Sequence, residues 1–451
     1  MTSVLRDPDR TDTAFMTKRA WWLVGLGVLV PGSAQVLAGS RRLGRFALGV
    51  TLGVWGAVVL VLLLVLVARD WLLSIATNTI LLTVLVLAVV LLALLWLVLG
   101  VDTLRLARLG RVESSVRPFV AGLAVVAMVA STGGAVYAAS TVSAGIGLLD
   151  AVFAERPSED PIDGRYNILL LGGDAGPDRE GLRPDSITVA SVDAETGALT
   201  LIGLPRNLED VPFSEDSPLW EKFPNGYSCG RDCQLNYLYS YGQVRHPELY
   251  PEAKDINSNP GVEAVRDAVE GALGIPMQYY VLIDMQGFAD LIDALGGIDI
   301  TVAERVPYGA NEGENGERLP PAGYFEPGDY HFDGGWALTY ARTRYGTSDY
   351  TRMERQRQVQ QAIVDQMNPV NVLTKFGAVA EAGKQIVRTD IPKQMLGYFA
   401  QLGNKAQQQP ITAFDIVPPQ FDPENPDFAA IQAAVHELLW PTATESPTPT
   451  P

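Results

Sequence analysis

The sequence predicts a set of N-terminal transmembrane helices followed by a layered α/β domain. Three observations carry this. The 451-residue chain changes character near Ser140: Leu, Val and Ala with few charges come before it, and carboxylates, aromatics, Gly and Pro come after. Three apolar runs in the first part each reach the roughly 20 residues that a bilayer-spanning helix needs. In the second part short β-patterned runs alternate with helical ones, which indicates an α/β fold.

Residues 1–20 form a polar, cytoplasmic tail. The apolar stretch 21–38 is interrupted by Pro31, Gly32, Ser33 and Gln35, so it reads as a re-entrant or interfacial hairpin, with a fourth span as the alternative. Lys18 and Arg19 precede it and Arg41, Arg42 and Arg45 follow. Basic residues on both flanks suit the cytoplasmic side and a hairpin that does not cross. The clean spans are about 46–68, 80–101 and 119–139. The apolar runs repeat and no small-residue cleavage site follows the first, unlike a signal peptide. The loop carrying Arg105, Arg108, Arg111 and Arg117 suits the inside. Three crossings therefore place the second part outside the cytoplasm, on a multi-pass anchor in the cell membrane.

Residues 141–164 form a linker. Tyr166–Leu171 is an apolar strand running into a turn at Gly172-Gly173-Asp174. Asp185–Val192 alternates as a strand, 193–198 is a hairpin turn, and Leu199–Leu204 is the returning strand. Helical spacing covers Pro260–Leu273, and Tyr279–Ile283 is a strand. Phe288–Leu295 is a helix stopping at Gly296-Gly297, and Ile298–Val302 is a strand. Trp336–Tyr340 and Thr351–Met367 are helices. The main domain runs over 165–370, a helical extension containing NVLTKFGAVAEAGKQIV over 371–440, and a Pro/Thr/Ser tail without core-forming residues over 441–451.

The formal net charge is -17, mostly from the second part. That excludes a general nucleic-acid binder, which needs an excess of Lys and Arg. Cys229 and Cys233 lie four positions apart. They read as a local disulfide in an oxidising compartment, with free thiols as the alternative; zinc lacks further ligands nearby.

Arginine carries the chemistry. Arg183 comes just before one hairpin strand and Arg206 just after its partner, so both reach the same sheet edge. Asp174 and Asp185 also stand at strand ends. Arg342, Arg344, Arg352, Arg355 and Arg357 follow within YARTRYGTSDYTRMERQRQ. Guanidinium forks suit phosphate oxygens, and two carboxylates beside them could hold Mg²⁺. Singly, each has an ordinary reading: a strand-end Asp forms turns, and helix arginines face solvent or pair with Glu354.

Taken together, ILLLGGD, LRPDSITVASVD, LTLIGLPRNLEDVP, QLNYLYSYG, FADLIDALGGIDITV and YARTRYGTSDYTRMERQRQ, in this order, resemble the LytR-CpsA-Psr (LCP) family over about Tyr166–Met367. The resemblance implies a central mixed sheet with an apolar pocket for a polyprenyl lipid and a pyrophosphate gripped at its mouth. It implies an LCP-type Mg²⁺-dependent (Mn²⁺ possible) phosphotransferase that attaches a glycopolymer from a polyprenyl-pyrophosphate carrier to peptidoglycan. By position, Asp174 and Asp185 match the metal and catalytic carboxylates, and Arg183 and Arg206 the phosphate-gripping arginines. Arg342 and Arg344 match the paired arginines of the AR-x-R motif. Arg352, Gln356 and Asn236 match further pyrophosphate-binding positions. Three features depart from the family: Asn207 where Asp is frequent, Gln234 for a common Lys, and an inserted Cys229–Cys233 loop. The several-span anchor is also more elaborate than the family's usual single span.

In the implied reaction a peptidoglycan hydroxyl attacks the sugar-linked phosphorus and prenyl phosphate leaves. Asp185 binds the metal or takes the proton. His246, His331 and His436 lie outside the matched stretches, which disfavours an imidazole base. The alternatives are a glycolipid pyrophosphatase using water, or a non-catalytic lipid-pyrophosphate binder. The transferred polymer (arabinogalactan, teichoic acid or capsular polysaccharide) stays open.

Overall fold

The computed structural model describes residues 6, 8–9, 11–67, 78–174, 182–309, 319–343, 345, 348–366 and 387–441. They fall into two compact units, Met1–Gly147 and Leu148–Pro451.

In the first unit, α1 (Thr13–Leu29) is capped by Asp12, whose carboxylate accepts from the Phe15 N–H. The chain breaks at Val30–Gly32 and resumes as α2 (Ser33–Ala38). Gly32 has φ +97°, and a Cβ there would meet the Leu48 backbone nitrogen at 2.7 Å, so only glycine fits this corner. Gln35 on α2 donates to Leu99 O at 3.0 Å and to Thr103 Oγ1 at 3.1 Å. The interrupted segment is thus two helices separated by a break, and the first begins at Thr13, earlier than the apolar pattern indicates. Next come α3 (Arg41–Val67), α4 (Thr79–Ala107) and α5 (Arg117–Val152). Among the described residues three helices are long and apolar enough to cross a membrane: Arg41–Val67, Thr79–Arg111 and Arg117–Gly147.

The second unit is built on a six-stranded mixed sheet. Its strands are β1 (Arg165–Asp174), β2 (Arg183–Asp193), β3 (Leu199–Leu204), β4 (Tyr279–Asp284), β9 (Val387–Thr389) and β10 (Thr412–Asp415), in the order β10-β3-β2-β1-β4-β9. β1, β2 and β3 run antiparallel in turn, β4 lies parallel to β1 and β10 parallel to β3. Leu169, Leu171, Ile187, Val189, Ile202 and Leu204 point to one face. They form the main core there with α7 (Pro260–Leu273) and α12 (Phe428–Leu439), which follow the short α6 (Tyr237–Ser240) in the chain. Asn259 caps α7 and Pro260 occupies its first turn, where no N–H is needed.

Over the opposite face lie α8 (Met285–Leu295), α9 (Gly334–Arg342) and α10 (Asp349–Gln366). Two small ribbons complete a second core with them: β5 (Ile298–Val302) with β8 (Gly328–Phe332), and β6 (Val306–Tyr308) with β7 (Gly323–Phe325). The last helix before β10 is α11 (Leu396–Ala406).

Two differences from the sequence reading matter. The expected turn at Gly172-Gly173-Asp174 is strand: β1 continues to Asp174 and shifts register between the glycines. The C-terminal extension is not only helical, because it supplies β9 and β10, the two edges of the central sheet. Asp390, fully buried after β9, accepts from the Tyr280 N–H at 2.7 Å and pairs with Arg266 at 2.5 Å and Arg156 at 3.1 Å. That buried network locks the edge strand in place. Residues 371–386 of the expected amphipathic helix and 442–451 of the tail lie outside the described residues.

Candidate active site

The site forms where β1 ends, β2 begins and β3 ends. Asp174 stands opposite Arg183. Gly172 pairs with Ser186 and Gly173 with Pro184, which leaves Asp185 as the extra residue of a β-bulge. Bulges re-aim a side chain out of the strand's alternation, and proline, lacking an N–H, is tolerated beside one. β2 pairs with β3 up to Ile187 and Leu204. Two residues further on each strand stand Asp185 and Arg206, side by side.

Arg206 Nη1 donates to Asp185 Oδ1 at 2.8 Å, and its Nε donates to Asp349 Oδ2 at 3.2 Å. Asp349 Oδ1 in turn lies 3.1 Å from Arg352 Nη1 on the first turn of α10. The result is a continuous chain of alternating charge, Asp185, Arg206, Asp349, Arg352, that runs from half-buried groups to the buried Arg352, which is 2% exposed. Burial works to lower the Arg206 pKa, but Asp185 and then Asp349 outweigh it and hold the guanidinium above its ordinary value.

Beside this chain opens a cavity of about 980 Å³. Its floor is the second face of the sheet, including Leu170, Ala190, Leu201 and Ile283, and its roof includes Phe288 and Ile363. A sheet apolar on both faces normally has both faces packed; here one of them lines the cavity. The polar lining includes Asp185, Asp284, Arg342, Arg352 and Gln356.

The sequence-predicted residues divide as follows. Asp185, Arg342, Arg352 and Gln356 line the cavity. Arg206 sits directly behind Asp185. Arg183 is off the cavity wall, its guanidinium 4.8 Å from the centre of the Tyr237 ring. Asn236 is buried and donates its backbone N–H to Arg206 O at 3.1 Å. The Asp174 side chain and the whole of Arg344 lie outside the described residues. Arg355 is a brace: its Nε donates to Tyr340 O at 3.1 Å and its Nη2 to Thr343 O, tying α10 to the end of α9. Arg357 pairs with Asp415 of β10. A disulfide joins Cys229 and Cys233.

Asp349 was not anticipated. Its signal was its place three residues before Arg352, at helical spacing and in a first turn where a carboxylate is favoured. Among the described residues no cluster of three or more His, Cys, Asp or Glu side chains could hold a metal by itself.

A family model, the LytR_cpsA_psr family, matches residues 137–420. The chain belongs to this family. Similar curated proteins include the polyisoprenyl-teichoic acid–peptidoglycan teichoic acid transferases TagU of Halalkalibacterium halodurans (29% identical over 238 residues) and of Enterococcus faecalis (29% over 255), and TagV of Bacillus subtilis (28% over 229). The matches cover 52%, 54% and 50% of this chain and 62%, 69% and 50% of those relatives' own lengths. A crystal structure of B. subtilis TagV aligns with a TM-score of 0.43 at 24% identity, over 61% of this chain and 97% of that one.

Proposed function

We propose that this LCP protein transfers a glycopolymer from a polyprenyl-pyrophosphate carrier to peptidoglycan. The observation that carries the reading is the apolar cavity with Arg342 and Arg352 in its wall and the Asp185–Arg206 pair beside it. The prenyl chain would lie against the second face of the sheet. The diphosphate would meet Arg342, Arg352 and Gln356. A glycan hydroxyl attacks the sugar-linked phosphorus, the bond to the prenyl-phosphate oxygen breaks, and prenyl phosphate departs. Arg206 steadies Asp185, which is placed to accept the hydroxyl proton or to face a cation. Positioning and charge neutralisation carry most of such a reaction. The names of the curated relatives support the same donor and acceptor classes.

A Mg²⁺ fits the available donors. Asp185 offers hard oxygens, Asp174 is the second carboxylate the family resemblance implies, and Mg²⁺ is commonly held by one or two carboxylates plus substrate phosphates. When bound it would neutralise charge on the diphosphate. The three long apolar helices and the basic loops support a multi-pass anchor with the α/β domain outside the cytoplasm, where the acceptor is.

The full chain in detergent, given a prenyl-pyrophosphate glycan with and without acceptor and Mg²⁺, tests this. Acceptor-dependent glycan phosphate linkage supports transfer. Release of free glycan phosphate regardless of acceptor would replace it with hydrolysis.

A further inference from the structure

The segment that carries Arg206 away from β3 is gripped by both arms of one loop. On the incoming arm the Tyr227 N–H donates to Val211 O at 2.8 Å, and these residues form an isolated β-bridge. On the outgoing arm the Leu235 N–H donates to Leu208 O at 2.9 Å and the Asn236 N–H to Arg206 O at 3.1 Å. Cys229 and Cys233 stand between the arms, and their disulfide closes the loop. Cys233 is 2% exposed and packs in the main core, while Cys229 faces solvent.

A cross-link over so short a loop sits at the low end of the chain-entropy effect, which grows with loop length. What it fixes locally is the spacing of the two arms, and through them residues 206–211. We infer that the Cys229–Cys233 disulfide is a redox-sensitive positioning device for Arg206, an inference that rests on the transferase reading above. The exposed Cys229 Sγ is the sulfur a dithiol reaches. Its thiolate attacks there, Cys233 leaves as thiolate and takes up a proton, and the second thiol of the reductant resolves the mixed disulfide. The reductant ends as a disulfide and the protein as two thiols. The arms then separate, and the Arg206 backbone loses its second anchor while its side chain still meets Asp185 and Asp349.

The test uses the full chain in detergent, oxidised, reduced with dithiothreitol, and as Cys229→Ser, which leaves the buried cysteine in place. Amide hydrogen exchange is followed in peptides containing Tyr227, Leu235 and Asn236, together with steady-state transfer. Reduction should speed exchange at these amides and lower kcat about tenfold with a smaller change in KM, because the interaction lost acts in the transition state. Re-oxidation should restore both, and Cys229→Ser should match the reduced protein and ignore reductant. Unchanged exchange on reduction, or faster exchange with unchanged kcat, would overturn the inference. An oxidised protein with no turnover at all would contradict the transferase reading instead, and the exchange result would decide this inference alone.

Discussion

Asp349 accepts a hydrogen bond from Arg206 Nε at 3.2 Å across 143 residues of sequence. It makes Arg206 the middle of a charge chain rather than a free cation, because the same carboxylate also pairs with Arg352 on α10. Asp349→Asn keeps the shape and removes the charge. A hydrogen bond to a charged group contributes about 1.5–3 kcal/mol, so transfer should slow roughly tenfold to a hundredfold. The rate should fall more in kcat than in KM, which steady-state kinetics would read. An unchanged kcat would separate Asp349 from the mechanism.

Arg206→Ala removes the guanidinium that lies between Asp185 and Asp349. Loss of a phosphate-stabilising arginine can cost about a thousandfold or more. Transfer should be abolished while circular dichroism shows an intact fold. A folded variant with wild-type turnover would remove Arg206 from the reaction.

Leu170→Trp projects bulk from the sheet floor into the cavity. Each buried methylene contributes about 0.8 kcal/mol, so excluding two of them should weaken binding of the prenyl-linked substrate by roughly tenfold or more. Inorganic pyrophosphate binding should be unchanged. Equal loss of both would point to general damage rather than an occupied cavity.

The hairpin that joins Arg183 to Arg206 was legible in the sequence, because period-2 runs bounded by turn residues leave little choice of register. In the arginine-rich stretch only the group pointed to a phosphate, and the sequence did not separate Arg342 and Arg352, which line the cavity, from Arg355 and Arg357, which pair elsewhere. Other features were not legible. The Asp185 bulge depends on how Gly172-Gly173 pairs with Pro184-Asp185 across the ladder, which no local pattern states. An apolar pocket was expected from the family resemblance alone, because LLL in β1 and IGL in β3 read the same whether the second face is packed or open. β9 and β10 were missed because three- and four-residue edge strands lack a periodicity to detect.

The carboxylates of α7 set a pH dependence. Burial pushes Glu270 up to about 7 from 4.5, against the hydrogen bond it accepts from the Met277 N–H. Burial also raises Glu263 and Asp267 on the same helix. A carboxyl whose folded pKa is raised contributes stability that is complete below its unfolded value and is lost as pH rises through the folded one. Stability should therefore fall between about pH 4.5 and 7, by roughly 3 kcal/mol at most from Glu270. Glu270→Gln keeps the acceptor for Met277 and should flatten that slope in denaturant titrations. An identical slope in the variant would assign the dependence elsewhere.

In the proposed transfer a prenyl chain occupies the chamber between the sheet and α8–α10 while its diphosphate rests at the arginines. A diazirine-bearing prenyl pyrophosphate, photolysed on the full chain and mapped by mass spectrometry, addresses it most directly. The account predicts labels on peptides from β1, β3, α8 and α10, competed by unlabelled lipid and reduced by Leu170→Trp. Labels confined to the membrane helices or to the outer face of α7 would contradict it.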